Sequence, residues 1–529
     1  MIFIFSWSQR GTAQSFRFEK TFGDISSGTK TIQLPDSGFI FTSSVWVDSN
    51  YTTHLLISRV DKLSNLIWTK QFDRVDNAMN VSALVADGKY CIASIESENF
   101  YTNVTTCVIL KIDSQGQVIW EKELYGFDSQ RILGLDKVST SRYILVGNVY
   151  YGNDGDCYAL TLDTGGNLLW CYRFGSNIFE AFIGVQATHD HNLVIVGISK
   201  NGNDPGKLTL MKVDTDGNII WNHRFAWACQ VTPWSIVEAK NHDFVVGGVY
   251  DPDTSLHPWY PALIRFDSTG NLKWLRYYLG DWSVAENFSS KETNDEGIVG
   301  LLEVEHFPQG SEQQPAGLFK TDANGIPEWG RLYLDTAMYF PWNVIVTSDH
   351  GYAVTGGSRS NVRNAFLVKT DSEGKTSCND LDIALQTFTD PNFSMDSTGV
   401  IKSGGQLGDI ILSESFIKIP NSTLCFDIDS ISAVNTIVAS SPNLISLFPN
   451  PVQTQLTISI NSPSDNLATP ANEVSIRVYD LQGRMIVLPT TFTNTQAQLN
   501  TITLAGGFYT VQIINDKTGE SRVRKFVKQ

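Results

Sequence analysis

An eight-residue unit, Asp-x-x-Gly-x-x-x-Trp, recurs seven times in the chain and constrains the fold more than any other feature. Its aspartates lie 49 to 55 residues apart, at Asp61, Asp113, Asp163, Asp214, Asp267, Asp322 and Asp371. Tryptophan follows seven positions later in six copies, and Cys378 replaces it in the seventh. Repeats of roughly 40–50 residues are typical of β-propeller blades, each of which contains four strands.

The residue types of the unit predict a tight turn between two antiparallel strands. Aspartate at the first position and glycine at the fourth are typical of a type I turn, because glycine tolerates positive φ. Apolar runs such as Leu193–Gly197 precede these hairpins and indicate strands that are buried on both faces. We therefore predict an all-β fold, with a seven-bladed β-propeller over residues 16–378.

The seventh copy lacks its last strand, and the N-terminus offers a replacement. Phe18–Gly23 aligns without a gap with Trp170–Gly175. We predict that this N-terminal strand completes the last blade, since a closed ring leaves no exposed sheet edge. The repeated unit resembles the tryptophan-docking motif of the PQQ-like propeller superfamily, with a turn one residue shorter. The resemblance implies that tryptophan packs blade against blade, and it does not carry over the quinone cofactor.

Four blocks at the C-terminus differ from the repeats, and strand-like runs between them predict a small Ig-like β-sandwich over residues 441–529. As a set, they resemble the type A sorting domain of type IX secretion substrates in the Bacteroidetes. The alternative is an ordinary Ig-like module. The basic block Arg524–Lys528 ends the set, and the other three contain the motif residues Pro449, Asn450, Pro451, Asp480, Gly483, Arg484, Gly507 and Tyr509.

The resemblance implies export through the periplasm and across the outer membrane, with the type IX secretion machinery and a sortase as partners. The protein is then attached to the cell surface or released. Residues 1–15 begin with an apolar stretch, which we interpret as the remainder of a signal peptide, with an N-terminal arm as the alternative. The chain has no apolar run of the roughly 18 residues that a transmembrane helix needs.

Residues 379–440 are polar and are predicted to be a linker, with a short hairpin formed by Asp409–Leu412 and Phe416–Ile419. Cys378 and Cys425 flank this segment, and in an oxidising compartment we expect them to form a disulfide. The other five cysteines show no CxxC spacing, so zinc-ribbon and thioredoxin classes are excluded. A net charge of −16 argues against a nucleic-acid partner.

Candidate ligand-binding residues lie on the loops that enter the innermost strands. Exposed aromatic rings beside polar groups suit stacking against sugars. The alternative is that these rings fill the channel or pack between blades. They do not repeat from blade to blade, so blade architecture does not require them. The candidates are Phe179, Trp227, Trp234, Trp282, Tyr339 and Trp342, together with the carboxylates of Glu180 and Asp281.

Other polar residues are better explained by structure. A basic residue recurs two positions before six of the seven turn aspartates, which predicts structural ion pairing. Loops such as Asn153–Asp156 offer oxygen ligands for Ca²⁺, but such loops are usually turns, so no cofactor is predicted and Ca²⁺ stays an alternative. His189 and His191 invite a zinc hypothesis, but they lie in a predicted turn and show no third ligand.

The sequence thus favours an exported propeller that acts as a recognition scaffold for a glycan or a protein, with no catalytic residues predicted. The alternative is a glycan-active enzyme that uses carboxylates at the mouth of the propeller.

Overall fold

The structure is a computed structural model of the whole chain. It describes residues 16–428 and 445–528, apart from gaps at 24–26, 47–52, 75–76, 100, 126–128, 140, 152–153, 176–177, 203–205, 228, 252–258, 281–282, 285–288, 307–314, 334–338, 360–362, 377, 379, 397–399, 404–405, 411, 418, 420, 450, 461–473, 481–484, 493–495 and 516–520. The described residues form strands and turns without a helix. The chain divides into an N-terminal domain ending at Ile431 and a C-terminal domain beginning at Ser432.

The N-terminal domain is built from antiparallel units of four strands, which we number 1 to 7 in chain order. The first strand in the chain is β1 (Phe16–Phe22), which belongs to unit 7. Units 1 to 3 contain β2 (Ser27–Gln33), β3 (Phe39–Trp46), β4 (Thr53–Val60), β5 (Leu66–Asp73); β6 (Asn77–Asp87), β7 (Tyr90–Asn99), β8 (Thr105–Asp113), β9 (Val118–Tyr125); and β10 (Ser129–Val138), β11 (Arg142–Tyr151), β12 (Asp154–Asp163), β13 (Leu168–Gly175).

Units 4 to 7 continue the same order of strands along the chain. In unit 6 two short strands, β22 and β23, pair with β24 and take the place of a single first strand. The strands are β14 (Phe179–Ala187), β15 (Leu193–Lys200), β16 (Lys207–Val213), β17 (Ile219–Trp227); β18 (Gln230–Glu238), β19 (Phe244–Asp251), β20 (Tyr260–Phe266), β21 (Leu272–Leu279); β22 (Ser283–Val284), β23 (Ser290–Glu292), β24 (Ile298–His306), β25 (Ala316–Thr321), β26 (Pro327–Tyr333); and β27 (Tyr339–Val346), β28 (Tyr352–Arg359), β29 (Arg363–Lys369).

The units follow one another in a cyclic order. The first strand of each unit contacts the first strand of the next, from β2 through β6, β10, β14, β18 and β23 to β27, and β27 contacts β2. A single parallel bridge between Thr53 and Ala78 also joins units 1 and 2 into one ten-stranded sheet. Antiparallel four-stranded sheets packed in this order make the N-terminal domain propeller-like.

The repeated motif fastens each unit to its neighbour. Asp113 caps its own turn, because its Oδ1 accepts hydrogen bonds from the backbone N–H groups of Gln115 and Gln117, each at 2.9 Å. The indole of Trp120 donates a hydrogen bond of 3.1 Å to the carbonyl of Thr164 in the turn of the next unit. Gly166 in that turn has φ +81°, and a Cβ there would lie 2.9 Å from the Trp120 ring. Glycine is required both for the backbone conformation and for the close approach.

The N-terminal strand completes unit 7, as the alignment of Phe18–Gly23 predicts. β1 pairs antiparallel with β29, with Phe18 opposite Lys369 and Phe22 opposite Ala365. Both phenylalanines are fully buried. Lys20 donates a hydrogen bond to the carbonyl of Ser64 in the turn of unit 1, where the other units have glycine. The two ends of the repeat array therefore meet through β1.

A run of seven strands follows unit 7, and each adds a fifth strand to the outer edge of a different unit. We call it the outer belt: β30 (Asp380–Ile383), β31 (Gln386–Thr389), β32 (Phe393–Asp396), β33 (Val400–Ser403), β34 (Gln406–Asp409), β35 (Ser413–Ile417) and β36 (Asn421–Ile428). They pair antiparallel with β26, β21, β17, β13, β9, β5 and β1, in that order. The belt therefore visits the units in reverse order and satisfies backbone groups that would otherwise be unpaired at each edge.

The belt corrects the predicted linker at 379–440. Its described part, within 380–428, consists mostly of strands. The predicted hairpin of 409–412 and 416–419 is also wrong, because Asp409 ends β34 and pairs with Lys122, whereas Phe416 lies in β35 and pairs with Lys70. The two strands belong to different units.

The C-terminal domain consists of two antiparallel sheets that share one core. The core contains Leu456, Val478, Leu499, Val511 and Phe526, all at most 2 % exposed. The sheets have the orders β37-β38-β42-β41 and β40-β39-β43-β44. The strands are β37 (Ile445–Phe448), β38 (Gln455–Ile460), β39 (Val474–Tyr479), β40 (Met485–Ile486), β41 (Thr490–Phe492), β42 (Gln496–Asn500), β43 (Gly507–Asn515) and β44 (Ser521–Lys528).

Candidate functional site

A β-bulge interrupts the first strand of six units at the same register. The bulges leave one or two residues without a partner on the second strand, and these include Lys30, Ser82, Leu133, Ile183, Trp234 and Trp342. The corresponding part of unit 6 falls within residues 285–288, outside the described part of the chain. Because the first strands contact one another in a cycle, the unpaired residues form a ring, which we call the bulge ring.

In units 3, 4, 5 and 7, glycine on the second strand makes room for the bulge. A Cβ on Gly147 would lie 1.8 Å from the carbonyl oxygen of Arg131, and one on Gly356 would lie 2.2 Å from that of Phe340. Gly197 and Gly248 meet the same obstacle. The glycines that end the apolar runs of the sequence therefore serve the bulge ring, and a side chain there would force the first strand away.

Trp234 and Trp342 are the large exposed side chains of the bulge ring, each 38 % exposed. Both follow a proline, and each precedes a residue that ties its unit to the next. Ser235 Oγ lies 2.9 Å from Ser290 Oγ of unit 6. Asn343 Oδ1 accepts a hydrogen bond of 3.0 Å from the backbone N–H of Thr31 in unit 1. The two indoles therefore project from anchored backbone.

Charged groups with displaced pKa values lie near the bulge ring. Burial, together with the charge of Lys291, lowers the pKa of Lys30 to about 8 against the opposing effect of Glu96. Burial raises the pKa of Glu96 to about 7, although Arg131, whose Nε lies 3.9 Å from Glu96 Oε2, favours the charged carboxylate. Groups that change charge near neutral pH are common at functional sites. The sequence does not indicate these groups, because nothing in a single strand shows which charged side chains of neighbouring units lie close together.

The other predicted ligand-binding residues have different surroundings. Trp227 is 5 % exposed and packs against Phe225 and against Phe393 of the outer belt, so its ring is not available for stacking with a ligand. Phe179 is half-buried beside Tyr150, with ring centroids 6.2 Å apart, and Glu180 next to it is also half-buried. The backbone of Tyr339 begins β27, and its side chain lies outside the described residues, as do Asp281 and Trp282.

The recurring basic residues form the structural ion pairs that the sequence predicts. Each pairs with an aspartate in the turn between the first two strands of its own unit: Arg59 with Asp36, Lys111 with Asp87, Lys212 with Asp190, Arg265 with Asp243, Lys320 with Asp295 and Lys369 with Asp349. Burial tends to raise the pKa of Asp87, but hydrogen bonds from Lys137, Tyr143 and Lys111 outweigh it and lower the pKa to about 2. Asp87 is therefore a structural anion rather than a proton donor.

Most residues of the sorting motif can be located in the C-terminal domain. Pro449 and Pro451 follow β37 and are exposed, and Asp480 follows β39. Gly507 begins β43 at φ +154°, and the buried Tyr509 donates a hydrogen bond of 2.9 Å to the carbonyl of Ala505. Asn450, Gly483 and Arg484 lie outside the described residues.

Cys378 is disulfide-bonded, whereas Cys91, Cys107, Cys157, Cys171 and Cys229 are buried and are not part of a disulfide. The backbone of Cys425 lies in β36 opposite Glu19, and its side chain is outside the described residues. Cys425 is the one cysteine of the chain left as a partner, so its pairing with Cys378 stays a prediction. Such a bond would fix the far end of the outer belt to its start.

We expect the Cys378→Ser and Cys425→Ser chains to unfold at the same, lower temperature than the natural chain. A disulfide that closes a loop of about 50 residues stabilises by about 4 kcal/mol in the chain-entropy account. Thermal unfolding is measured with and without reductant. Reductant should lower the transition of the natural chain and leave both variants unchanged. A Cys425→Ser chain that still responds to reductant contradicts this pairing.

Comparisons with known proteins identify the C-terminal domain. Residues 446–529 match the family described as the secretion system C-terminal sorting domain. The chain is therefore an exported protein whose C-terminal domain directs it through type IX secretion to the cell surface or the medium. Its described residues include no helix that is long and apolar enough to span a membrane. A comparison with curated protein sequences finds no match.

Solved structures share only remote similarity with the chain. The β-propeller domain of the trilobed protease from Pyrococcus furiosus is 12 % identical, with a TM-score of 0.41 over 68 % of this chain and 100 % of that one. A sialidase from Trypanosoma rangeli is 11 % identical, with a TM-score of 0.33 over 67 % of this chain and 53 % of that one. PorZ of the Porphyromonas gingivalis type-IX secretion system is 9 % identical, with a TM-score of 0.21 over 97 % of this chain and 100 % of that one.

Proposed function

We propose that the chain is an exported seven-bladed β-propeller that binds a ligand at its bulge ring, with an Ig-like sandwich as its removable export signal. The observation that carries the binding role is the exposure of Trp234 and Trp342 on anchored strands of units 5 and 7. Burying one large apolar ring is worth about 1.5–3 kcal/mol. Two exposed tryptophans at the same position of two units therefore contribute little to stability and are better explained by binding of a ligand.

A glycan is the ligand that this arrangement favours. Flat aromatic rings stack on the apolar faces of sugar rings, and neighbouring polar groups supply hydrogen bonds to the hydroxyls. The polar groups of the bulge ring include Ser82 and the ammonium of Lys30. A protein ligand is the other outcome, since tryptophan is also common at interface hot spots.

Replacing both tryptophans should abolish most of the binding. We expect the Trp234→Ala and Trp342→Ala chains each to bind about tenfold more weakly, a loss of about 1.4 kcal/mol. A glycan array screens the purified chain first, and titration with the best oligosaccharide then compares the variants. Tyr101→Ala is the matched control, because Tyr101 is 78 % exposed in the loop after β7. Equal loss in the control, or unchanged binding by the double variant, contradicts the proposal.

The C-terminal domain acts in delivery and not in recognition. The sorting motif implies that the secretion machinery binds this domain and that a sortase then removes it. The mature protein would be linked to surface lipopolysaccharide or released. The exposed basic pair Arg524 and Lys525 on β44 suits contact with an acidic partner, in a chain whose net charge is −16.

A glycan-active enzyme is the second candidate. Glu96 favours it, because a carboxyl group whose pKa burial raises to about 7 can act as a general acid at neutral pH. Glu96→Gln should then abolish hydrolysis of the oligosaccharide while leaving its binding intact. Binding without any turnover by the natural chain rules out this role.

A further inference from the structure

Three potential metal ligands from units 4 and 5 meet at the surface of the N-terminal domain. His189 lies in the turn between β14 and β15. Glu238 is the last residue of β18, and His242 lies in the turn that follows it. Their ligand atoms, two imidazole nitrogens and one carboxylate oxygen, all lie within 4.8 Å of one another. The sequence shows no third ligand for the pair His189 and His191, and the structure instead places Glu238 and His242 beside His189.

The carboxylate of Glu238 is already oriented toward both imidazoles. Its Oε2 accepts a hydrogen bond of 2.8 Å from the backbone N–H of His189. Its Oε1 lies 2.5 Å from His189 Nδ1 and 3.5 Å from His242 Nδ1. The two imidazole rings stack with centroids 3.4 Å apart. One oxygen therefore holds the carboxylate in place, and the other faces the two nitrogens.

Equivalent positions in other pairs of units make the same contacts, but with other residue types. Glu292 of unit 6 accepts a hydrogen bond of 2.9 Å from the backbone N–H of Lys240, as Glu238 does from His189. Asn294 of unit 6 meets His350 of unit 7 through their side chains, in the positions of His189 and His242. The geometry of the turns therefore belongs to the ring. The pair of imidazoles beside a carboxylate is particular to the interface of units 4 and 5, among the turns that the structure describes.

We propose that His189, Glu238 and His242 form a binding site for Zn²⁺ that links units 4 and 5. Two imidazoles and one carboxylate are a common donor set for zinc, with bonds of about 2.0–2.2 Å and a fourth, open position. The nearby carboxylates are engaged elsewhere, since Asp190 pairs with Lys212 and Asp243 with Arg265. The fourth position of a bound ion would therefore be open to water. The side chains of His189 and His242 are 48 % and 46 % exposed, so the ion reaches the site from solvent.

A metal held in this way binds the folded ring and not the unfolded chain, because its ligands come from two units. Zinc should therefore raise the unfolding temperature of the natural chain by mass action.

The test is a titration of the full chain with ZnCl₂ at pH 7.5, read by calorimetry and by thermal unfolding. We expect one ion per chain, with a dissociation constant on the order of 1 µM. His189→Ala and His242→Ala should each weaken binding at least about tenfold and remove the thermal shift. Glu238→Gln should also weaken binding, because an amide oxygen that accepts the His189 N–H leaves the amide NH2 facing the two imidazoles, and an NH2 group cannot bind the metal.

His350→Ala is the matched control, since His350 holds the position of His242 in unit 7 and both have positive φ, 66° in each case. It should bind zinc like the natural chain. Unfolding of each variant without metal shows whether it is folded, so a loss of fold is distinguished from a loss of ligand. The proposal is overturned if the natural chain shows no saturable binding, or if His350→Ala loses as much affinity as His242→Ala. X-ray absorption should report two histidine nitrogens on the bound ion.

Discussion

Removal of residues 1–23 should leave an N-terminal domain that no longer unfolds in a single cooperative transition and that aggregates on purification. The deletion removes β1, which pairs with β29 on one side and with β36 of the outer belt on the other. It also removes Phe18 and Phe22, both fully buried. Loss of one buried phenylalanine ring costs about 3–5 kcal/mol, and a domain is stable by about 5–15 kcal/mol in total.

Point variants make this expectation quantitative. Phe18→Ala and Phe22→Ala should each lower the free energy of unfolding by about 3–5 kcal/mol, measured by urea denaturation. Tyr101→Ala, at an exposed position, should change it by less than about 0.5 kcal/mol. A chain lacking 432–529 should keep the full stability of the N-terminal domain, since the two domains have separate cores. If the chain without β1 unfolds like the natural one, β1 does not close the ring.

The repeats could be predicted from the sequence because the same residues that form each turn also bind the neighbouring unit. Asp113 caps its turn, Gly166 takes a positive φ beneath an indole, and Trp120 donates to the next unit, so the same residue types recur at fixed spacing. The basic residue before each turn could be read for the same reason. The docking of β1 was visible as well, because Phe18 aligns with the tryptophans of the other units.

The outer belt could not be read in the same way. Its strands β30 to β35 contain only four or five residues each, and none pairs with its neighbour in the chain. Their partners belong to distant parts of the chain, as with Phe416, which lies opposite Lys70, and Lys402, which lies opposite Arg173. Short strands of this kind obtain their order from an existing edge rather than from their own propensity. The spacing of their starts, six to eight residues, is the one signal that could have indicated a second array.

The candidate sites could also be predicted only in part, because they depend on contacts between different units. The bulge ring depends on Trp234 and Trp342, which the sequence does single out, because they do not recur from unit to unit. Trp227 looks equivalent in sequence, but the outer belt covers it through Phe393. His189 was correctly placed in a turn, but its neighbours Glu238 and His242 come from the following repeat. Aligning the turns of adjacent repeats, rather than searching within one turn, would have brought these three residues together.

Deletion of residues 432–529 should abolish delivery of the protein to the cell surface and the medium in a bacterium with an active type IX system. The match to the sorting-domain family covers 446–529, and the separate core of the domain lets it act independently. The chain is expressed behind a functional signal peptide, and immunoblots compare the periplasmic, surface and medium fractions. The truncated chain should accumulate in the periplasm, while the purified N-terminal domain keeps its unfolding temperature and its ligand affinity.

Fusing residues 432–529 to an unrelated periplasmic reporter should export that reporter, because the fusion carries both the motif residues and the core that supports them. Normal delivery of the truncated chain would show that the signal lies elsewhere, and loss of ligand binding on truncation would show that the C-terminal domain shares the recognition site.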